Sequence, residues 1–200
     1  MEDLSQAKKV NKTVDDIKTF AVPFASGKIK ENLSISINSN NQISIEQIIN
    51  KALKFHSKGN ISEAEKYYQY LISEGCNDYR ILSNYGVILQ KRGNLEEAEL
   101  LHRKAIKLNP NFAASCSNLG SILRDRGNLE EAELLQRKAI ELKPNYPIGH
   151  SNLGNVLSDL GKLQEAELSY HKAIELKPDF TEALSNLGVL LRDLGKLQEA

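Results

Sequence analysis

Hydrophobic and polar positions along this chain repeat with a period of 34 residues. The segment at 117–146 reads SNLGSILRDRGNLEEAELLQRKAIELKPNY and returns at 151–180 as SNLGNVLSDLGKLQEAELSYHKAIELKPDF. The same offset leads back to 83–112 and forward to 185–200, and a weaker copy lies upstream. A period of this length is typical of a solenoid of helical repeats. We therefore divide the chain into units 45–78, 79–112, 113–146 and 147–180 and a truncated fifth unit from residue 181.

The pattern inside each unit predicts two helices. In the second unit Leu82, Tyr85 and Leu89 lie on one face at helical spacing, and Gly93 then predicts a left-handed C-terminal cap. Asn94 begins the second helix, and the acidic residue three positions later predicts a capping box. The same signal recurs at Asn60–Glu63 and Asn128–Glu131, and each second helix is expected to end before Pro110, Pro144 or Pro178.

Glycines recur inside the predicted first helices, at Gly86, Gly120, Gly154 and Gly188. Each costs about 1 kcal/mol relative to alanine in a helix interior. Their recurrence predicts a close approach of the second helix at these points, with Ala98, Ala132 and Ala166 as the opposing small surface. Because one helix pair cannot bury both of its faces, neighbouring units are expected to stack.

These residues resemble the tetratricopeptide repeat over residues 45–200. In the third unit the matching positions are Leu119, Gly120, Leu123, Ala132, Ala139 and Pro144. The family's tryptophan is replaced by Leu82, Cys116, His150 and Leu184. The resemblance implies an all-α, right-handed superhelical solenoid of antiparallel helix pairs, whose first helices line a concave groove. The repeats also resemble the arrays of O-linked N-acetylglucosamine transferases and related bacterial proteins.

The first 43 residues lack this pattern. They are mostly polar, so we expect a disordered or weakly ordered segment at 1–43 and a solenoid over 44–200. Order is predicted to begin at Ser44, which forms a capping box with Gln47. The N-terminus lacks the apolar core of a secretory signal, and the two cysteines, Cys76 and Cys116, are too far apart for a zinc site. A cytoplasmic protein is therefore expected.

Composition favours no catalytic, metal or cofactor site. The 26 basic and 26 acidic residues balance, which argues against nucleic-acid and membrane partners. The four histidines lie in different units without a second ligand at metal spacing, and the glycines form no phosphate-binding loop. We therefore predict a protein that is not an enzyme, has no cofactor and binds a protein or peptide.

An asparagine recurs on the predicted groove side of every first helix, at Asn50, Asn84, Asn118, Asn152 and Asn186. Asparagine is a mediocre helix former, so structure alone does not require it there. In the transferases that the repeats resemble, a ladder of such asparagines holds the backbone of an extended peptide. An amide offers both a donor and an acceptor to a peptide bond. The alternative, that duplication copied a neutral asparagine, stays open.

Other side chains complete the predicted groove: Arg80, Lys91, Ser121, Asn155, Asp125 and Asp159. A clamp for a terminal carboxylate would need basic residues clustered beside the asparagines. Arg80 and Lys91 occur only in the second unit, and later units place aspartates on this face. The sequence therefore argues against carboxylate recognition.

Three functions remain at this point. The first is an interaction scaffold that binds an extended peptide or a partner helix. The second is the substrate-presenting N-terminal region of a larger transferase, and the third is self-association through the exposed C-terminal repeat. Since the fifth unit stops at Ala200, early in its second helix by the register, we expect the front part of a longer protein with frayed residues at 195–200.

Overall fold

The repeats fold into nine α-helices within residues 44–195, the part of the chain that the computed structural model describes. The expectations for residues 1–43 and 196–200 lie outside the described residues. No β-strand occurs within 44–195, which confirms the predicted all-α repeat fold. The helices are α1 (Ile45–Ser57), α2 (Ile61–Ser73), α3 (Tyr79–Lys91), α4 (Leu95–Leu108), α5 (Ala113–Asp125), α6 (Leu129–Leu142), α7 (Pro147–Asp159), α8 (Leu163–Leu176) and α9 (Thr181–Asp193).

The helices stack as antiparallel pairs. A three-residue turn joins the two helices of each complete unit, and these two helices make the most extensive contact in the molecule. Each second helix also packs on the first helix of the next unit. The contact between α2 and α3 is less extensive than the matching contacts further along the chain. The junction between the first two units is therefore the loosest of the stack.

Glycine terminates the first helices as predicted. Gly93 has a φ of +82°, and the amide of Asn94 donates to the carbonyl of Leu89 at 3.0 Å, so the end of α3 is a Schellman motif. The same left-handed glycine follows α1, α5, α7 and α9. An added Cβ would meet no neighbour there, so the backbone conformation alone selects glycine.

One of the four predicted capping boxes is confirmed. Ser44 and Gln47 exchange both hydrogen bonds of a capping box, at 3.2 and 2.9 Å. The boxes predicted at Asn60, Asn94 and Asn128 are wrong, because none of these side chains caps its helix. Asn94 has φ −79° and ψ 65° and lies in an inverse γ-turn, with the amide of Leu95 donating to Gly93 at 2.9 Å. That conformation differs from the extended backbone of a capping residue.

A large side chain of each second helix packs on the glycine of the first helix. A Cβ added at Gly154 would lie 2.6 Å from the ring of Tyr170, and one at Gly120 would lie 2.7 Å from Nε2 of Gln136. His102 stands in the same position against Gly86, at 2.8 Å. The predicted close approach is confirmed, but the main opposing surface is this large residue, 16 positions after the glycine, rather than the alanines.

His102 is a fully buried polar residue. Neither ring nitrogen has a hydrogen-bond partner within residues 44–195, although the side chain has no exposed surface. In the next unit Gln136 replaces it, and this amide exchanges two hydrogen bonds of 2.9 Å with Ser117. Burial lowers the pKa of His102 to about 4, so the ring is neutral at physiological pH.

Ion pairs join successive second helices along the outer surface. Arg103 of α4 contacts Glu99 of its own helix at 2.9 Å and Glu131 of α6 at 2.8 Å. One unit later the same two contacts recur, made by Arg137 with Glu133 and Glu165. Arg103 and Glu99 are part-buried, whereas Arg137 and Glu165 are exposed. Exposed pairs contribute about 0–1 kcal/mol each, so the outer pair orients its units more than it stabilises them.

The glycine contact predicts opposite effects for one substitution at two matched positions. Gly154→Ala should lower the free energy of unfolding by about 1–2 kcal/mol, because overpacking outweighs the gain in helix propensity. The Tyr170 ring is buried and its hydroxyl is held by Asn155, so it cannot move aside. Gly188→Ala should raise the free energy of unfolding by up to about 1 kcal/mol, since a Cβ added there would meet no atom of another element within 4 Å among the described residues. Urea unfolding measures both; equal effects would contradict the packing argument.

The buried histidine predicts a pH dependence of stability. The folded pKa of His102, about 4, lies below the ordinary 6.5, so the unfolded chain binds the extra proton first. The neutral ring of His102 contributes fully to the free energy of unfolding above pH 6.5. This contribution falls by on the order of 3 kcal/mol as the pH falls toward 4. His102→Gln should remove that part of the loss. Unfolding of both proteins between pH 7 and pH 4 isolates the contribution of His102, and parallel pH profiles would refute it.

Candidate functional site

The first helices form one continuous surface on the inner side of the solenoid. From α3 to α9 the first helices of successive units contact one another, whereas successive second helices make no comparable contact within residues 44–195. The first helices therefore lie closer together, on the inside of the curve. The predicted groove residues share the face of these helices that is turned away from the buried leucines, such as Leu82 and Leu123.

Three of the recurring asparagines are hydrogen-bonded to the preceding unit. The amide Nδ2 of Asn84 donates to Oη of Tyr68 at 3.4 Å, and Nδ2 of Asn152 donates to Oγ of Ser117 at 3.1 Å. Nδ2 of Asn186 donates to Oδ1 of Asn155 at 2.9 Å. These three asparagines and Asn118 are half-buried, so the expectation of an exposed point on every first helix is wrong for all four and holds for Asn50. Each of the three bonded amides also serves to join two units.

Asn118 differs from these three. It is half-buried in the middle of the inner face, and its amide makes no hydrogen bond with any other described residue. Part of the difference follows from the register, because Val87, two units before Asn155, stands where Asn155 accepts from Asn186, and the side chain of valine cannot accept a hydrogen bond. Asn50, in α1, is exposed and also has no partner within residues 44–195. The asparagine positions are therefore chemically unequal.

The other predicted groove residues also fall into two groups, those bonded to a described residue and those that are exposed without an ion pair. Arg80 pairs with Asp78 at 2.6 Å, and Asp159 pairs with Arg124 at 2.6 Å. Asn155 accepts from Tyr170 at 2.8 Å as well as from Asn186, and Ser121 donates to the carbonyl of Ser117 at 3.2 Å. Lys91 and Asp125 are exposed and form no ion pair with any described residue.

Two tyrosines from the second helices take part in the inner face, which the sequence did not indicate. Tyr68 and Tyr170 are buried against the first-helix positions described above, and their hydroxyls reach Asn84 and Asn155. Burial raises the pKa of both phenols to about 12, so both keep their proton at neutral pH. The available signal was their position 16 residues after Ala52 and Gly154, the point of closest helix approach.

Within residues 44–195 no cluster of three or more His, Cys, Asp or Glu side chains could hold a metal ion. None of the helices in that range is both long and apolar enough to cross a membrane. The inner face is thus a polar surface with amides, a serine hydroxyl and isolated charges. Its chemistry is that of hydrogen bonding.

Family models match three parts of the chain. Two models described as tetratricopeptide repeat match residues 147–180 and 80–109, and one described as TPR repeat matches residues 120–161. No curated protein matches the sequence.

Solved structures with the same fold include three informative ones. The crystal structure of MamA is 24% identical with a TM-score of 0.63, and the match covers 74% of this chain and 86% of that one. The first TPR of Spaghetti (RPAP3) bound to the HSP90 peptide SRMEEVD is 25% identical with a TM-score of 0.57, covering 59% and 94%. An O-GlcNAc transferase mutant from Thermobaculum terrenum is 31% identical with a TM-score of 0.56, covering 56% of this chain and 22% of that one.

The unequal asparagines predict unequal effects on stability. Asn152→Ala should lower the free energy of unfolding by about 1 kcal/mol, because it removes a hydrogen bond to the buried hydroxyl of Ser117. Asn118→Ala should leave stability unchanged or raise it slightly, since alanine is the better helix former. Thermal unfolding of the two single variants makes the comparison. If Asn118→Ala were the more damaging change, the assignment of the free amide would be wrong.

Proposed function

We propose that this chain, which belongs to the tetratricopeptide-repeat family, is a non-enzymatic scaffold that binds an extended peptide along the inner face of its first helices. The observation that carries the proposal is the unpaired amide of Asn118 at the centre of that face. The peptide bound to the first TPR of RPAP3, a structure of the same fold at 25% identity, supports a peptide as the kind of partner.

The chemistry of Asn118 suits a peptide backbone. Its Nδ2 donates and its Oδ1 accepts, so one side chain can bond both groups of a peptide unit whatever the sequence. Ser121 lies three residues later on the same helix, and its hydroxyl oxygen can still accept a hydrogen bond while it donates to Ser117. A peptide held in this way is recognised at its backbone, and neighbouring side chains of the groove determine which peptide sequences bind.

The remaining asparagines support this role indirectly. Asn152 and Asn186 each bond to the first helix of the preceding unit, and Asn84 bonds to Tyr68 of the preceding second helix, so these three residues hold their units in a fixed relation to the one before. A surface that is already ordered loses less conformational entropy when a peptide binds. We therefore assign these three residues to the shape of the groove and Asn118 to direct contact with the peptide.

A second candidate function is the substrate-presenting region of a larger transferase. The observation that favours it is the 31% identity to the Thermobaculum terrenum transferase, of which the chain matches only 22%. In this case the same groove would hold a segment of the protein to be modified. The coding sequence downstream of residue 200 separates the two candidates, because only the transferase requires a catalytic region there.

Peptide selection followed by calorimetry tests the groove. A library of random 12-residue peptides displayed on phage is selected on the 200-residue chain, and the strongest binder is then titrated. Asn118→Ala should weaken its binding about two- to tenfold, the cost of one lost hydrogen bond. Leu134→Ala, on an exposed part of α6, is the matched control and should bind like the parent chain. Binding that survives Asn118→Ala but fails with Leu134→Ala would place the site on the second helices.

A further inference from the structure

A cavity lies at the loose junction between the first two units. It has a volume of about 140 Å³ and is lined by His56, Ile61, Val87, Ile88, Lys91 and Arg92. Three of the lining side chains are aliphatic, and the other three carry nitrogen. An apolar cavity of about 150 Å³ accommodates one benzene molecule. The space therefore fits one apolar side chain of a peptide and is too small for a drug-sized ligand.

The repeat supplies a comparison for this junction. Arg124 and Asp159 occupy the positions of His56 and Lys91 two units later, and there they form an ion pair of 2.6 Å that joins the two first helices. At the first junction no carboxylate stands at the position of Asp159. Burial and the charge of Lys91 lower the pKa of His56, which favours the neutral ring, so His56 and Lys91 form no ion pair. The ion pair between α5 and α7 therefore has no counterpart at these two positions of α1 and α3.

The donors at this junction are still available to a ligand. Lys91 is exposed and forms no ion pair with any described residue, whereas Arg92 is engaged by Glu65. Nδ1 of His56 lies 2.9 Å from Oη of Tyr68, which already accepts from Asn84. When the hydroxyl of Tyr68 donates a hydrogen bond to Nδ1, that nitrogen carries no hydrogen, and the neutral ring has its hydrogen on Nε2. A carboxylate at this junction would meet the ammonium of Lys91 and a donor from His56.

We propose that this junction is a specificity pocket of the groove, which takes an apolar side chain into the cavity and the carboxylate of an adjacent acidic residue between Lys91 and His56. The pocket rests on the proposed function, since it selects among peptides that the groove binds. The carboxylate belongs to a side chain within the peptide, so a free C-terminus is not required. Lys91 alone supplies too few bases for a clamp on a terminal carboxylate, but at the end of α3 its ammonium and a donor from His56 are enough for one side-chain carboxylate.

Capped peptides test the two halves of the pocket separately. The probes are hexapeptides with an acetylated N-terminus and an amidated C-terminus, Gly-Ser-Leu-Glu-Ser-Gly and its Leu-Gln and Ala-Glu counterparts, titrated into the ¹⁵N-labelled 200-residue chain. The Leu-Glu peptide should shift the amide signals of Ile61, Val87 and Lys91. Glutamine in place of glutamate should weaken binding about threefold or more, and alanine in place of leucine about tenfold. Equal affinities for all three peptides would overturn the proposal.

A double variant that introduces an ion pair at the first junction tests the pocket from the side of the protein. His56→Arg together with Lys91→Asp copies the Arg124–Asp159 bridge into the first junction and should close it. We expect unchanged helicity and a loss of Leu-Glu binding of about tenfold or more. Lys107→Asp, an exposed residue of α4, is the control with the same charge reversal as Lys91→Asp and should bind normally. If the double variant does not fold, Lys91→Ala replaces it, and retained affinity in either folded variant would overturn the pocket.

The same titration separates failure of the pocket from failure of the groove. Peptide-induced shifts at Asn118 and Ser121 without shifts at Val87 and Lys91 would reject the pocket and leave the proposed function standing. Shifts on the second helices alone would reject both. A Leu-Glu peptide with a free C-terminal carboxylate, compared with the amidated form, tests the terminal alternative, and a strong preference for the free acid would overturn the assignment to a side-chain carboxylate.

Discussion

The contact between a first-helix glycine and one large side chain of the second helix, present at Gly86, Gly120 and Gly154, is the constraint on which the solenoid depends. At Gly154 and Gly120 there is no room for even a methyl group, because Tyr170 and Gln136 occupy it. This contact determines how closely the two helices of a unit approach. Since each pair then presents the same two faces, successive units stack in the same way. Glycine lowers the stability of the helix itself, but the packing of the second helix requires it.

The same large residue also links the core to the groove. Tyr68 and Tyr170 fill the space above Ala52 and Gly154, and their hydroxyls emerge beside the polar residues of the inner face. Gln136 instead bonds to Ser117, and that hydroxyl in turn accepts from Asn152. One position of the repeat therefore decides both the packing of its own unit and which groove amides are occupied.

Units that are nearly identical in sequence make unequal junctions. Arg124 and Asp159 tie the third unit to the fourth, whereas His56 and Lys91 form no such pair beside the cavity at the first junction. Neither the ring of His102 nor the amide of Asn118 has a hydrogen-bond partner within residues 44–195. Differences of one or two side chains between otherwise similar units thus make the surface chemically different from one junction to the next. A solenoid acquires specificity in this way without changing its fold.

The period, the helix pairs and the glycine caps followed from the sequence alone, because they depend on local geometry and on spacing along the chain. Gly93 needs only its own backbone conformation, and the apolar face of α3 needs only helical periodicity. The capping boxes at Asn60, Asn94 and Asn128 failed because the tight turn after each glycine fixes the backbone in another conformation. The asparagine positions could be found from the sequence, but the partner of each amide could not. Whether Asn152 reaches Ser117, or Asn118 reaches no partner, depends on residues 30 or more positions away that only the stacking of units brings together.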